Sequence, residues 1–381
     1  MRGHADDQPP LFHVFHVEDR IRADHPLRDI KRRVDRILDG MSAAFDAAYS
    51  RTGRPSVPPE RLLKALLLMA LYSVRSERQV CERIDTDLLF RWFLDLTPSD
   101  EAFDATTFTH NRTRLDAHAL TATFFAAVVR EAITAGLCSD HFSVDGTLIE
   151  SFAAAKSFRP IPAEGEDPPP DANGFQPRNP EVDFHGQART NATHRSVTDP
   201  EAKLYRKGWG KEATLAHMGH TVGENRHGLI LAVRVTEANG TAERTAALAM
   251  LDDLTATHAI RPTTVGADKG YDSGDFFQAL EARQIEPHVP LVKEPRNPTT
   301  VPYRKHRPGV EARQRMKARL TTEGYRLSQK CRKKIEEGYG WLKAIAGLGR
   351  SRVVGRWKLT QLLEIGAAAY NLVRMRTLVP A

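Results

Sequence analysis

Cysteine is scarce in this 381-residue chain: Cys81, Cys138 and Cys331 are few, odd in number and far apart. That argues against a disulfide framework and a cysteine-built zinc site, and it fits a reducing compartment. Long apolar runs are missing as well. The longest, Leu62 to Tyr72, is interrupted by Lys64 and falls short of the ~20 residues that a helix needs to cross a bilayer. The opening MRGHADDQPP has no apolar centre, so no secretory signal is expected. No internal repeat is visible. The expectation is a soluble, intracellular protein with no membrane partner. The length suggests one to three domains, and 41% hydrophobic with 27% charged residues is a globular composition.

Positive charge is present but unevenly spread. The whole chain carries +7, yet Val301 to Thr360 holds 17 Lys and Arg against 4 Asp and Glu, a local +13. The other 321 residues therefore carry −6. Such a block is either a solvated face or a surface that neutralises phosphates without reading base sequence.

Hydrophobic spacing divides the chain. Residues 1–20 read as a flexible arm and 21–136 as a helical N-terminal region serving as a DNA-binding or accessory domain. Within it, Pro58-Pro59-Glu60 opens a helix in the preferred way, and Leu62, Leu63, Leu66, Leu67 and Leu71 recur at helical spacing. Further helices are expected at Glu77 to Ile84, Asp87 to Leu94 and from Asp104. Such short helices suit a helix-turn-helix that enters a DNA groove, and equally a bundle that touches none. From 137 to 381 the pattern becomes α/β. A strand is expected at His141 to Asp145, then a loop-rich insertion at about 159–200, including Pro168-Pro169-Pro170. A hairpin follows at 216–235 around Glu224-Asn-Arg-His-Gly228, then a helix at 242–257 and a strand at 262–268. A helix at 275–284 and a strand at 287–292 come next, and two helices at 325–346 and 359–375 close the chain. One mixed sheet with helices packed on it accounts for that alternation.

Asp145 and Asp268 each end a short apolar strand, where active sites of open sheets gather. Taken singly, Asp145-Gly146 could be only a turn, and Asp268 only the cap of the turn after it. On one continuous helix, Ile335, Tyr339, Leu342 and Ala346 would form a core stripe. Gln329, Arg332, Glu336 and Lys343 would form a second stripe beside it, with Glu336 flanked by two cations. The plainer reading of Arg332 and Glu336 is a surface pair worth ~0.2–0.5 kcal/mol. Three convergent carboxylates in a basic surround would hold hard divalent cations through oxygen. Two such ions ~3.5–4 Å apart suit phosphodiester attack. No thiol cluster or His-x-His pair points to zinc.

The quoted stretches resemble the DDE transposases of bacterial insertion sequences, in particular the insertion-sequence-five type and its relative numbered eleven-eighty-two. The resemblance covers most of the chain. It is carried by PPERLLKALLL from Pro58, FSVDGTLIE from Phe142, KSFRP from Lys156, GHTVGENRHGL from Gly219, ADKGYD from Ala267 and RKKIEEGYGWLK from Arg332. It implies an RNase H-like mixed-sheet core with an all-helical N-terminal domain. The Asp145 strand would be first and central, the hairpin around Asn225 strands two and three, and Asp268 the end of strand four. Asp145, Asp268 and Glu336 would be the catalytic metal ligands, holding Mg2+ or Mn2+, two ions in all. The family's signature is Tyr, two residues, Arg, three residues, Glu, six residues, Lys. Arg332, Glu336 and Lys343 match it in register, while Gln329 stands at the tyrosine position. Arg332 and Lys343, with Lys333 and Lys334, would contact DNA. The implied activity is binding of terminal inverted repeats, metal-dependent strand cleavage and strand transfer. The protein would act as a homodimer on double-stranded element ends and target DNA, in the cytoplasm and on the nucleoid when bound. The residues alone leave open a silent DNA-binding regulator and a metal-dependent nuclease that cuts without transfer.

Overall fold

The computed structural model describes residues 15–50, 52–53, 56–161, 190–206, 212–292 and 309–379. Eight helices come first: α1 (Val17–Arg20), α2 (Leu27–Asp39), α3 (Ser42–Ala48), α4 (Pro59–Leu71), α5 (Glu77–Thr86), α6 (Leu88–Phe93), α7 (Ala105–Ala117) and α8 (Leu120–Thr134). Their starts follow side-chain chemistry. Ser76 caps α5 by accepting from Gln79 N at 3.1 Å, and Gln79 Oε1 reaches back past the cap to accept from Arg75 N at 3.0 Å. Asp87 and Asp104 cap α6 and α7 in the same manner. Val17 is buried in α1, so the last residues of the expected arm are folded; the rest of the arm lies outside the described residues.

The α/β part opens with β1 (His141–Glu150). A two-stranded ribbon follows, β2 (Phe158–Pro160) antiparallel to β3 (His194–Ser196), and then β4 (Lys203–Tyr205). The expected insertion at 159–200 is therefore framed by strand, because Phe158 and Ser196 are buried and their backbones pair. Residues 162–189 lie outside the described residues. The hairpin is β5 (Thr214–Glu224) with β6 (Ile230–Glu237), and its turn is tied by a buried acid. Glu224 accepts backbone N–H groups from Ser139 (3.2 Å), Arg226 (3.0 Å), Gly228 (2.9 Å) and His227. Gly228 supplies the positive φ, +72°, that the turn requires.

After the hairpin come α9 (Ala242–His258), β7 (Thr264–Gly266), α10 (Gly274–Ala282), β8 (Glu286–His288), α11 (Val310–Arg319), α12 (Glu323–Cys331), α13 (Lys334–Ala344) and α14 (Arg356–Leu378). The sheet runs β5, β1, β7, β8, with β4 and β6 along the outer side of β5. β1 is antiparallel to β5 and parallel to β7. The single helix expected at 325–346 is two. Consecutive three-residue hydrogen bonds, Ile335 N to Arg332 O and Glu336 N to Lys333 O, break it at 332–333.

α14 holds the halves together. Asn371, fully buried, accepts from Ile230 N at 2.9 Å and donates to Ile230 O at 2.7 Å, gripping β6. On the helical side, Gln361 donates to Arg112 O of α7 at 3.0 Å, and Thr121 of α8 donates to Glu364 at 2.6 Å. One continuous hydrophobic core runs from Val17 to Met375.

Candidate active site

The two aspartates are brought together by strand register. β1 and β7 run parallel with Ser143 opposite Gly266, and two residues further on each chain come Asp145 and Asp268. Both lie at the carboxyl side of the β1–β7 pair, where an open sheet presents its active site. Each spends Oδ1 on a following backbone N–H: Asp145 on Gly146 and Asp268 on Gly270, both at 2.8 Å. The capping reading of Asp268 thus holds geometrically and uses one carboxylate oxygen.

A third acid stands with them that the sequence reading passed over. Glu243, in the first turn of α9, presses against the glycines that follow the aspartates. A Cβ built on Gly146 would lie 2.7 Å from Glu243 Oε1. One built on Gly270 would lie 2.9 Å from Asp268 Oδ1 and 3.7 Å from Glu243 Oε2. The carboxylates occupy room that only glycine leaves. Its one sequence signal, an acid in the first turn of a helix, is the usual complement to the helix dipole and so pointed nowhere in particular.

Two buried tyrosines floor this cluster. Tyr339 Oη donates to Asp145 O at 2.6 Å and to Gly219 O at 3.4 Å, fastening α13 across β1 and β5. Burial pushes both phenols, Tyr271 and Tyr339, well above the usual tyrosine range. The charges of Glu243, Asp145 and Asp268 push Tyr271 further, and those of Asp145 and Glu243 do the same to Tyr339. Both are therefore neutral, and Tyr339 acts as a hydrogen-bond donor.

Glu336 is one helical turn before Tyr339 on α13, but its side chain is 63% exposed and faces Arg332 at 4.0 Å. Among the described residues, no three His, Cys, Asp or Glu side chains already gather as ligands about one point. Asp145, Asp268 and Glu243 share a neighbourhood, and Glu336 faces Arg332. Arg332 is 18% exposed, with a buried Nε that lacks a hydrogen-bond partner. Lys333 is exposed, and Lys334 donates to Arg226 O. Lys343 is half-buried two turns beyond Glu336. Gln329 is not on the Glu336 helix at all: from α12 it donates to His288 O at 2.6 Å and Ala267 O at 3.3 Å. The expected four-residue stripe is thereby split, because the break at 332–333 turns α12 toward the ends of β7 and β8. The donor chemistry fits a hard divalent cation, since carboxylate oxygens are the ligands such ions take.

The basic block is less free than its composition implies. Arg313 pairs with Asp272 at 2.9 Å, Arg315 and Arg319 with Glu281 at 2.6 and 3.0 Å, and Arg356 with Glu201 at 2.9 Å. Among the described residues no helix is long and apolar enough to cross a membrane.

Comparison with known proteins gives this arrangement a family. Residues 15–114 match the transposase domain DUF772, and residues 186–372 match the transposase DDE domain. Among solved structures, the piggyBac transposase synaptic complex with hairpin DNA is similar over 92% of this chain and 74% of that one, at 10% identity and a TM-score of 0.41. The Mos1 transposase paired-end complex with the left transposon end covers 82% of this chain and 85% of that one, at 10% identity and a TM-score of 0.20. No curated protein sequence matches. With an RNase H-like mixed sheet under a helical N-terminal region, the chain belongs to the DDE transposases. It is a DNA transposase of the insertion-sequence kind, an enzyme whose partner is DNA and whose activity depends on divalent metal ions.

Proposed function

We propose that Asp145, Asp268 and Glu336 are the metal-ligating catalytic residues of this transposase, acting on the terminal inverted repeats of its element. The observation that supports this most is the strand register that sets Asp145 beside Asp268, with α13 fastened to Asp145 by Tyr339. In the first step a water oxygen bonds to phosphorus and the bond to the 3′ oxygen breaks, leaving a 3′ hydroxyl. In the second, that hydroxyl attacks a phosphodiester of target DNA, and one bond forms as one breaks. Two Mg2+ or Mn2+ ions, when bound, supply Lewis acidity at the attacked phosphate and lower the pKa of the attacking hydroxyl.

The chain's own groups do the positioning. Asp145, held within β1, and Asp268, just past the end of β7, set the place of attack. Glu336 joins from α13 by swinging away from Arg332, across a weak exposed pair. Arg332 and Lys343 hold phosphates on either side of Glu336, with Lys333 and Lys334 at the helix start. The helical region 21–136 grips the element ends and residues 137–381 carry the chemistry, with 1–20 as an arm and about 159–200 as an insertion. The protein works as a homodimer on paired ends, in the cytoplasm and on the nucleoid.

Asp268→Asn tests the assignment. Cleavage of labelled element ends should fall by at least about a thousandfold, as expected when a metal-held nucleophile is lost, while end binding stays within twofold. Retained cleavage refutes it. Joined products with a plasmid target separate transfer from simple cutting.

A further inference from the structure

We propose that a second, basic cleft beyond the end of β1 holds an unpaired stretch of DNA a few nucleotides from the acid cluster. This rests on the transposase reading for its ligand and on the Asp145–Asp268 site for its distance. The cleft is built where three parts of the chain meet. Glu150, the last residue of β1, receives a hydrogen bond on its carbonyl from Ser351 N at 2.7 Å and donates to Gly349 O at 3.3 Å. Ser73, just past α4, donates to Ile345 O at 2.8 Å. Between these ties lies a cavity of about 620 Å³ lined by Arg75, Phe152, Lys343, Arg350 and Arg352.

Charge and shape select the occupant. In contrast to Arg313, Arg315, Arg319 and Arg356, no carboxylate pairs with Arg75, Arg350 or Arg352 among the described residues. Burial and the neighbouring Arg75 both draw Arg352 below the usual arginine range, so two like charges repel within one cleft. Phosphate relieves that repulsion and takes guanidinium hydrogen bonds in pairs. Phe152 is 53% exposed in the same cleft, a flat apolar face ringed by cations. That combination of stacking ring and backbone-tracking charge suits single-stranded nucleic acid, whose bases are free to stack. The volume is that of a small-ligand site, too small to admit a duplex. Position agrees: Lys343 is about 10 Å along α13 from Glu336 at the helical rise. Glu150 is about 17 Å along β1 from Asp145 at the strand rise. At the ~3.4 Å per-strand rise of a duplex these spans correspond to three to five nucleotides, and an extended unpaired strand covers them with fewer.

The test is fluorescence anisotropy with full-length protein carrying Asp268→Asn, so that substrate survives. Three labelled probes are compared: a single-stranded oligonucleotide, a blunt element-end duplex, and the same end with five unpaired terminal nucleotides. Phe152→Ala should weaken the single-stranded and unpaired-end probes about tenfold and the blunt duplex less than twofold. Phe152→Trp, which keeps a stacking face, should restore them, showing that the loss is not misfolding. Arg75→Ala with Arg352→Ala should lower the single-strand salt slope by about 1.4. Equal losses on all probes, or none on any, overturn the proposal. Cleavage by Asp268→Asn itself would overturn the catalytic assignment and leave these binding comparisons intact.

Discussion

Two acids of the sheet show how differently a carboxylate can be used. Glu224 is buried and satisfied by four backbone N–H groups, so its charge is structural. Glu224→Gln puts an amide where two donors already point. It should cost about 2–3 kcal/mol in urea unfolding, the range for a buried charge-assisted network; a loss under 0.5 kcal/mol would remove its role in the turn. Asp268 is the opposite case. Its one local bond, to Gly270 N, survives in asparagine, so Asp268→Asn should shift stability by less than about 0.5 kcal/mol. A large loss of stability would mark Asp268 as a structural residue. The sequence put Asp268 at a strand end as a candidate catalytic acid and Glu224 in a turn, but gave Glu224 no burial or partners, because those depend on which N–H groups from elsewhere reach it.

At the scale of elements, the decisive joint is between α13 and β1. Tyr339 Oη reaches Asp145 O on one strand and Gly219 O on the next, so a single hydroxyl sets the position of the helix over the sheet. Tyr339→Phe leaves those carbonyls short of a buried donor. It should destabilise the protein by about 1–2 kcal/mol, and slow cleavage severalfold at unchanged end affinity. A variant with native cleavage rate would show that α13 is held without the hydroxyl. Tyr339 was legible as a core residue from its spacing, and Pro58-Pro59 and Asp104 as helix starts from local chemistry. The break at 332–333 was not legible. The stripe of Gln329, Arg332, Glu336 and Lys343 keeps helical spacing across it, and in the fold Gln329 is instead drawn to the strand ends.

For the molecule as a whole, α14 threads the shared core, and one ionisable group on it makes stability depend on pH. Burial raises Glu364 from its ordinary value of 4.5 to about 7, against the weaker opposing bond from Thr121. The folded protein therefore keeps a proton that the unfolded chain gives up near 4.5. That stabilisation is full below about 4.5 and is lost as pH rises through 7. Between pH 5 and 8 wild type should lose about 2 kcal/mol from this group, read as a falling midpoint in urea. Glu364→Gln, neutral throughout, should flatten that fall, and an unchanged slope would exclude Glu364 as its source. Nothing local marks Glu364 as buried: it becomes so only because α8 and α14 pack together.

Local chemistry determined a great deal on its own. Helix caps, the turn at Gly228, the strand that stops just before Asp268 and the family signature all rest on residues near one another in the chain, whereas the strand expected to end at Asp145 runs on to Glu150 because β5 pairs with it over that length. Tertiary structure alone decided what stands in the site and what stands beside it. Glu243 comes to the aspartates from about a hundred residues beyond Asp145 along the chain, Glu336 turns to Arg332, and Arg313, Arg315, Arg319 and Arg356 of the basic block are taken up by acids. Side-chain reach across packed elements carries no periodic trace, so spacing along the chain cannot report it.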